Sequence, residues 1–382
     1  MNKVVYLDHH ATTPVDPLVF DKMAPFFTEE FGNAASIQHR HGVSARFAVD
    51  AAREDIANCI GALPSEIIFT SGATEATNLA LLGTMRCFGP SQAHMITTQA
   101  DHRASLDTCF HLANSGYEGS VITTDRFGCV NAASVESSIR PNTRLVSVIH
   151  ANNEIGSINP IQEIGELLRD REIIFHVDSA QAAGRMPIDV GKMNVDLLSF
   201  SGHKIYGPKG IGVLFARSNM RKFGMEPIMH GGGHELGLRS GTLNVPGIVG
   251  ISAALVLACA LLQEENSRIG RYRDKFEKGL VENIPDVAVN GHPTSRLANN
   301  LSVTFKGVLA EDIMAAMPDF ALSSGSACSS ASIEPSHVLR AIGLPQELAL
   351  STIRIGLGRF NTEEDIDNAL ERFVQTIPRL RK

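Results

Sequence analysis

Short apolar runs alternate with helix-like segments from about residue 43 to residue 260. One of these segments, IQEIGELLRD (161–170), has the spacing of an amphipathic helix and lies between two apolar runs. This alternation predicts an α/β fold, with a mostly parallel sheet that is covered by helices on both faces. The predicted strands are EIIFT (66–70), HMITT (94–98), RLVSVIH (144–150), EIIFHVD (172–178) and DLLSFS (196–201).

The pattern changes after residue 262, where it predicts a smaller α+β domain. The change begins with a highly charged helix, EENSRIGRYRDKFEKGLVENI (264–284), which suits a linker or a domain entry. A last helix begins near Thr362, with acidic residues in its first turn and apolar residues at helical spacing. Between them the sequence predicts strands at VAVNGH (287–292), NNLSVTF (299–305), FAL (320–322) and STIRIGL (351–357), and helices at EDIMAAM (311–317) and SHVLRAIG (336–343).

Composition and charge argue against several classes of protein. The chain has 382 residues and a net charge of −7, which does not suit a basic nucleic-acid surface. Its 6 cysteines form no CxxC pair and have no metal-ligand spacing. The most apolar stretch, GIVGISAALVLACALL (247–262), is short for a membrane span and predicts a buried helix. The N-terminus has no apolar signal region, so we expect a cytoplasmic protein without a disulfide framework. From the cysteine spacing, the charge and the length of the apolar stretch, we expect no metal and no direct contact to nucleic acid or membrane.

Three polar features follow three predicted strands. SGATEATN (71–78) is a glycine turn that opens a helix, whose amides and dipole suit an anion, although a plain helix cap would also explain it. Asp178 ends an apolar strand, and Gln181 follows it; a buried carboxylate needs a partner, and a second helix cap is the alternative. Lys204 precedes a glycine-rich stretch, where desolvation would make its amine a nucleophile; the alternative is a surface lysine.

The three features together indicate one cofactor. In open parallel sheets, ligands bind beyond the carboxyl ends of the strands. Pyridoxal phosphate needs a lysine for its Schiff base, a carboxylate for its protonated ring nitrogen and an anion site for its phosphate. An anion site, a carboxylate and a lysine at successive strand ends therefore predict this cofactor.

Longer motifs extend over essentially the whole chain. They are YLDHHATTPVDP (6–17), SGATEATN (71–78), HANNEIG (150–156), HVDSAQ (176–181), SFSGHKIYGPKGIG (199–212), HGGGHELGLRSGT (230–242), SSGSACSSAS (323–332) and STIRIGLGRF (351–360). Together they resemble the class I cysteine desulfurases, pyridoxal phosphate enzymes of the aminotransferase class V family. The resemblance implies fold type I of the pyridoxal-phosphate-dependent transferases. A large domain (15–262) would hold a mainly parallel seven-stranded sheet, and a smaller α+β domain (1–14 and 263–382) would carry the loop at 323–332.

The resemblance also assigns the residues around the cofactor ring. Lys204 would form the Schiff base, and Asp178 would pair with the ring nitrogen. Gln181 would hydrogen-bond the phenolate oxygen, with Asn153 nearby. His102 would stack on the ring and act as acid and base.

Phosphate, substrate and sulfur would be held by further residues. The phosphate ligands would be Ala73, Thr74, Ser201, His203 and, from the neighbouring subunit, Thr242, which implies a homodimer. Arg354 would clamp the carboxylate of L-cysteine, helped by Asn33. Cys328 would take the sulfur as a persulfide and pass it to an acceptor protein, while L-alanine leaves.

The residues alone leave alternatives open for some of these roles. His102 would more often be a structural histidine, and Asn33 is typical of a turn. Arg354 lies on a predicted strand whose apolar neighbours face the other way, so a solvated sheet face would explain it equally well.

Two departures from the family pattern leave the pathway open. Ala34 and Gln38 stand where many relatives have proline and histidine, which affects the entry loop. The sequence ends at RLRK (379–382), where housekeeping members carry a longer tail that docks an iron–sulfur scaffold protein. Iron–sulfur cluster assembly, tRNA thiolation and DNA phosphorothioate modification are all expected destinations of the sulfur. Competing functions are a selenocysteine lyase or another reaction on the same fold, and a non-catalytic subunit of a sulfur-transfer complex.

Overall fold

The computed structural model describes residues 4–324 and 335–381. Its strands are β1 (Val5–Tyr6), β2 (Ile67–Thr70), β3 (His94–Thr98), β4 (Glu118–Ile122), β5 (Thr143–Ile149), β6 (Ile174–Asp178), β7 (Leu197–Ser201), β8 (Gly212–Ala216), β9 (Val287–Asn290), β10 (Asn300–Phe305), β11 (Phe320–Ala321) and β12 (Thr352–Gly356). Its helices are α1 (Pro17–Met23), α2 (Pro25–Thr28), α3 (Arg40–Ile60), α4 (Ala73–Met85), α5 (Arg103–Asn114), α6 (Ala132–Ser138), α7 (Ile161–Leu168), α8 (Ser218–Lys222), α9 (Val245–Asn283), α10 (Ala310–Ala316), α11 (His337–Ala341), α12 (Gln346–Leu350) and α13 (Glu363–Leu380).

Within the described residues, the central sheet has seven strands in the order β2–β8–β7–β6–β5–β3–β4. β8 runs antiparallel to both of its neighbours, and the other strand pairs are parallel. β6, β7 and β8 are buried at every position, which explains why their sequences are continuous apolar runs without alternation. The predicted mainly parallel, seven-stranded sheet is confirmed. All strands except β8 end at the same edge, so the residues that follow them meet there.

Helix α9 connects two hydrophobic cores. Its first half contributes Ile248 and Leu255 to the core around the central sheet, and its second half contributes Phe276 and Leu280 to the core of the smaller sheet. The predicted apolar and charged helices are therefore one element of 39 residues. The domain boundary predicted at residue 262 falls inside this helix, between the two cores, and the division into two domains stays a prediction.

By length and composition alone, α9 is the one helix of the described chain that could cross a membrane. Its apolar side chains instead pack inside the protein. The central core contains four of them that are at most 1% exposed, namely Ile248, Ile251, Ala254 and Leu255. The buried helix predicted for residues 247–262 is confirmed.

The smaller sheet has the antiparallel order β12–β10–β9 and packs against α13. Helix α13 begins as predicted, because Thr362 and Asp365 form a capping box in which each side chain accepts from the other's backbone N–H. β12 also meets the start of the chain, since Gly356 forms a β-bridge with Asp8. Through this bridge, the N-terminal segment passes between the smaller sheet and the edge of the central sheet.

Candidate active site

The carboxyl edge of the central sheet carries Gly72, Asp178 and Lys204. Asp178 is the last residue of β6, and Lys204 ends a short 3-10 turn after the neighbouring β7. β2 leads into α4 through Gly72. A Cβ atom on Gly212, the first residue of β8, would lie 2.5 Å from the Cα atom of Gly72, so a side chain there would prevent α4 from starting this close to the sheet. The three features predicted at strand ends therefore share one edge.

The N-terminus of α4 is suited to an anion. No described side chain caps this helix at Gly72, so the backbone N–H groups of its first turn lack the partner that a cap would supply. Ser201 lies beside it, since a Cβ atom on Gly72 would be 3.9 Å from the Ser201 Oγ atom. Ala73 is half-buried and Thr74 is exposed in the first turn. The free N–H groups and the helix dipole both favour a phosphate at this position.

Ser201 and His203, the other predicted phosphate ligands, lie on and just after β7. The Ser201 Oγ atom donates to the Ile211 carbonyl at 3.4 Å, a long hydrogen bond that an anion nearby would weaken further. His203 Nδ1 shares a hydrogen bond with Thr12 Oγ1 at 3.1 Å. Burial, assisted by the charge of Lys204, lowers the pKa of His203 to about 4, so this ring is neutral at pH 7.

Asp178 is a buried carboxyl group, 3% exposed, whose Oδ1 atom accepts from the Ala180 N–H at 2.9 Å. The alternative of a helix cap is only partly right, because Asp178 caps a turn and no helix of the described chain begins there. Burial raises the pKa of Asp178 to about 6, against the opposing effects of this hydrogen bond and of the Lys204 charge. A carboxyl group in this environment is strongly stabilised as an anion by a cation in direct contact with it, such as a protonated pyridine nitrogen.

Lys204 is half-buried, and its Nζ atom donates to the backbone carbonyls of His10 at 2.6 Å and Ala11 at 2.8 Å. The alternative of a plain surface lysine is therefore wrong. Burial is the largest influence on the pKa of Asp178 and of His102, and the Lys204 charge lowers the pKa of both. The carboxyl group, the imidazole and the amine thus belong to one electrostatic site.

His102 caps α5, because its Nδ1 atom accepts from the Ala104 N–H at 3.1 Å. Burial, followed by the charge of Lys204, lowers the pKa of His102 and keeps the ring neutral near pH 7. Since Nδ1 accepts, the neutral ring carries its proton at Nε2. His102 therefore has a structural role, as its residue type suggested, because it caps α5. This cap uses only Nδ1, so the face of the ring and Nε2 are left for the predicted contact with the cofactor.

Gln181 is 3% exposed and is held by Arg185, four positions away, and by His10, 171 positions away. Its Oε1 atom accepts from His10 Nδ1 at 3.0 Å and from Arg185 Nη1 at 2.5 Å. Its Nε2 atom donates one N–H to the His10 carbonyl at 3.0 Å. His10 Nε2 accepts from Asn300 Nδ2 at 3.1 Å, so the fully buried His10 ring is enclosed by hydrogen bonds. The second N–H of the Gln181 amide is the group that suits a cofactor oxygen.

Arg354 is buried, 6% exposed, so the alternative of a solvated sheet face is wrong. Its Nη2 atom donates to Asp8 Oδ1 at 2.8 Å, and its Nη1 atom donates to the Asn153 carbonyl at 3.1 Å. Its Nε atom is buried and has no hydrogen-bond partner among the described residues. A carboxylate that approaches this edge of the guanidinium would satisfy that N–H.

The remaining predicted residues lie at the margins of the site or beyond it. Asn33 is exposed, and its Oδ1 atom accepts from the Ala35 N–H at 2.9 Å, which is the turn role that the residue type suggested. Thr242 is exposed. Asn153 meets Arg354 through its backbone. Cys328 lies outside the described residues.

The described residues fit pyridoxal phosphate. An uncapped helix N-terminus suits its phosphate, a buried carboxyl group with a raised pKa suits its ring nitrogen, and the Lys204 amine lies at the same edge. In residues 4–324 and 335–381, no group of three or more His, Cys, Asp or Glu side chains could hold a metal ion.

Sequence reasoning missed the contribution of the N-terminal segment 8–13 and of Glu154. Asp8 and His10 belong to the motif YLDHHATTPVDP, but no local pattern links either of them to Arg354 or Gln181. Glu154 belongs to the motif HANNEIG and is 5% exposed.

Comparisons with known proteins show what this chain is similar to. The family model described as aminotransferase class-V matches residues 5–369. A cysteine desulfurase IscS of Anaeromyxobacter dehalogenans (strain 2CP-C) is 48% identical over 378 residues, which are 99% of this chain and 93% of that protein. A solved structure named NifS-like protein has a TM-score of 0.92 and 35% identity, covering 99% of this chain and 100% of its own. Another, SspA in complex with cysteine, has a TM-score of 0.82 and 38% identity, covering 94% and 100%.

Proposed function

The chain belongs to the aminotransferase class-V family and is a pyridoxal-phosphate-dependent cysteine desulfurase, and from this premise we propose that Lys204, Asp178 and Arg354 are the residues that hold cofactor and substrate while L-cysteine is converted to L-alanine. When bound, the cofactor withdraws electrons from the bonds of the substrate Cα atom. The Asp178 carboxylate supports this withdrawal by keeping the ring nitrogen protonated. Arg354 orients the substrate through its carboxylate.

Two groups move protons in this proposal. Lys204 would hold the cofactor through its Nζ atom, and the same amine, when free, is the base that would take the Cα proton of the substrate. The carbonyls of His10 and Ala11 give the released amine a fixed position close to the site. His102 holds a proton at Nε2 and faces the same electrostatic site.

Cys328 is the proposed sulfur acceptor, on the basis of the family motif at 323–332. Its thiolate attacks the substrate sulfur, so that an S–S bond forms while the Cβ–Sγ bond breaks. The electrons of the broken bond stay on the substrate, which is protonated and leaves as L-alanine. The step therefore balances without any external oxidant, since one thiol and L-cysteine give one persulfide and L-alanine.

One observation carries this proposal: the buried Asp178 carboxyl ends β6, and the Lys204 amine follows the neighbouring strand β7, at the edge where α4 has its uncapped N-terminus. The test is to incubate the protein with pyridoxal phosphate and L-cysteine and to measure alanine and the persulfide on Cys328 by mass spectrometry. We expect Lys204→Ala to abolish both the bound-cofactor absorbance and alanine formation. Lys209→Ala, an exposed lysine nearby, is the matched control.

The same experiment separates the competing functions. Cys328→Ala should abolish turnover of L-cysteine, whereas Cys259→Ala, which removes an exposed cysteine, should leave it unchanged. Full turnover by Cys328→Ala would instead favour a selenocysteine lyase or another reaction on this fold. A wild-type protein that binds no cofactor after reconstitution would favour a non-catalytic subunit.

A homodimer is also part of the proposal. Thr242 is exposed, as a residue that reaches a neighbouring active site must be. The segment 18–47 exposes large apolar side chains that a partner would cover: Leu18 (63%), Phe20 (56%), Phe27 (58%), Phe31 (65%) and Phe47 (71%). Each proposed site takes Lys204 from one subunit and Thr242 from the other, so mixing Lys204→Ala with Thr242→Ala subunits should restore cofactor binding in one site of each mixed dimer. A monomeric sedimentation profile of the wild type would contradict the homodimer.

We further propose that the sulfur leaves on an acceptor protein, so that this chain itself meets neither nucleic acid nor membrane. The pathway remains a choice among iron–sulfur cluster assembly, tRNA thiolation and DNA phosphorothioate modification. Affinity capture from the native source, compared between wild type and Cys328→Ala, would identify acceptors that bind only the persulfide form. The cytoplasm stays the predicted compartment.

A further inference from the structure

A row of buried polar side chains crosses the central sheet on the face that packs against α4. His176 of β6 shares a hydrogen bond with Ser147 Oγ of β5 through Nδ1 at 2.9 Å, and with Ser199 Oγ of β7 through Nε2 at 3.1 Å. Ser199 Oγ in turn shares a hydrogen bond with Thr77 Oγ1 of α4 at 2.9 Å. All four residues are 0% exposed. This buried polar row therefore links three neighbouring strands to one helix.

The two inner members of the row have partners on both sides. Burial lowers the pKa of His176 to about 3, so the ring is neutral at pH 7. A neutral imidazole has one donor and one acceptor nitrogen, and a hydroxyl group can both donate and accept. The hydrogen bonds of the row can therefore all run in one direction. A satisfied buried network of this kind fixes the elements that it joins, because a shift would leave a polar group in the core without its partner.

The elements that the row joins also carry proposed cofactor contacts. Side chains two residues apart on a strand share a face. Asp178 is two residues beyond the row's member on β6, and Ser201 is two residues beyond its member on β7, both toward the carboxyl edge. On α4, Thr77 lies four residues after Ala73, which is about one helical turn. The row therefore lies directly beneath the proposed phosphate site.

The Thr77 hydroxyl gives α4 a directional contact with the sheet. The helix otherwise packs there through apolar side chains, among them Ala76, Leu79 and Ala80. Apolar contacts are not directional, whereas a hydrogen bond weakens steeply when it is misaligned. In the part of the chain that the structure describes, no other side-chain hydrogen bond joins α4 to a strand of the central sheet. The orientation of the first turns of α4 therefore depends on this one bond.

We propose that Thr77 is a positioning residue for the cofactor phosphate: its hydrogen bond to Ser199 holds the first turn of α4 at the carboxyl edge, so that the free N–H groups of that turn stay directed at the phosphate. This inference rests on the proposed function, which places the phosphate there. Asp178 and Lys204 lie on β6 and after β7, so their contacts with the cofactor do not depend on α4. Loss of the Thr77 hydroxyl should therefore weaken only the affinity that the phosphate contributes.

The experiment titrates the cofactor-free protein with pyridoxal phosphate and, separately, with pyridoxal, which lacks the phosphate, and follows the absorbance of the bound form. The ratio of the two Kd values measures what the phosphate contributes. We expect Thr77→Val, which replaces the hydroxyl by a methyl group, to raise the Kd for pyridoxal phosphate about tenfold, the effect of about one hydrogen bond, and to change the Kd for pyridoxal less than about twofold. Thr77→Ser keeps the hydroxyl and should restore the wild-type values.

Ser199→Ala removes the other half of the same hydrogen bond. It should raise the Kd for pyridoxal phosphate as Thr77→Val does, and combining the two changes should add little. Thr143→Val is the matched control, because the buried Thr143 Oγ1 also bonds a buried histidine, His94 Nδ1, at 2.8 Å, but at the amino end of β5. It should leave both Kd values unchanged. Urea unfolding of the cofactor-free proteins verifies that every variant is folded.

Different failures have different meanings. A wild type that binds pyridoxal phosphate no more tightly than pyridoxal would show that the proposed phosphate site is wrong, and this inference with it. If the wild type prefers pyridoxal phosphate and Thr77→Val keeps the same ratio of Kd values, Thr77 has no positioning role. The inference is also overturned if Thr77→Ser binds as weakly as Thr77→Val, or if Thr143→Val lowers the preference equally.

Discussion

In the protein without cofactor, the ionised Asp178 carboxyl group opposes folding, and its replacement by asparagine should stabilise the fold. Asp178 is 3% exposed, and burial raises its pKa from the ordinary value of 3.8 to about 6. Because the folded-state pKa lies above the unfolded-state value, the folded protein binds more protons between these two values. Its stability therefore falls as the pH rises from about 4 to about 6.

The size of this effect follows from the two pKa values. Each pKa unit corresponds to about 1.4 kcal/mol, so the rise to about 6 costs the folded state about 3 kcal/mol at pH 8, where both states are ionised. At pH 5 the folded carboxyl group is mostly protonated, and the cost is about half as large. Asp178→Asn removes this cost and keeps the acceptor for the Ala180 N–H. The gain should therefore be larger at pH 8 than at pH 5.

Urea unfolding of cofactor-free wild type and Asp178→Asn at pH 5 and pH 8 measures this difference. Asp125→Asn is the control, because Asp125 also accepts backbone N–H groups but is exposed. Cofactor affinity, followed by absorbance, should fall in Asp178→Asn, since asparagine offers no charge to the ring nitrogen. A variant that is no more stable than the wild type at pH 8, or whose gain is the same at both pH values, would refute the reasoning.

Three further changes test other parts of the structure. Asp8→Ala leaves the buried Arg354 guanidinium without its counter-ion. We therefore expect a loss of about 3 kcal/mol in the free energy of urea unfolding and a raised KM for L-cysteine. If stability is lost and the KM is unchanged, the Asp8–Arg354 ion pair is not part of the substrate site. Phe373→Ala removes a ring that stacks on Phe305 at 5.4 Å between centroids, and should cost about 3–5 kcal/mol while kcat/KM stays the same; a cost below about 1 kcal/mol would mean that this core collapses around the gap. Thr362→Ala breaks the capping box of α13 and should cost about 1 kcal/mol, whereas Thr362→Ser should cost little.

The positions of Asp178 and Lys204 were predictable because Asp178 ends a strand with a clear apolar signal and Lys204 comes three residues after another. Parallel strands end at one edge, so order along the sequence was sufficient to bring these residues together. The start of α13 was predictable for a similar reason, since Thr362 and the acidic first turn are local signals. Helix α9 shows the limit of local reasoning. Its change from apolar to charged sequence marks a change of surroundings within one helix, and the pattern alone suggested two helices.

Contacts with the N-terminal segment could not be predicted, because they join residues more than a hundred positions apart. His10 shows what such contacts determine. Burial, with the nearby charges of Arg185, Arg354 and Lys204, lowers the pKa of His10 far below its ordinary value, so the ring is neutral. Since its Nε2 atom accepts from Asn300, its proton must lie on Nδ1 and be donated to Gln181 Oε1.

This arrangement orients the Gln181 amide. With Oε1 committed to His10 and Arg185, the amide can offer the cofactor only an N–H from Nε2, which is the group that a phenolate oxygen requires. The sequence motif indicated Gln181 as a cofactor ligand, but the reason that its donor end is the available one lies in His10, a residue 171 positions away. The motif indicates Gln181 as a cofactor ligand, but the neutral His10 ring determines which end of its amide is available, and no local sequence pattern connects His10 to Gln181.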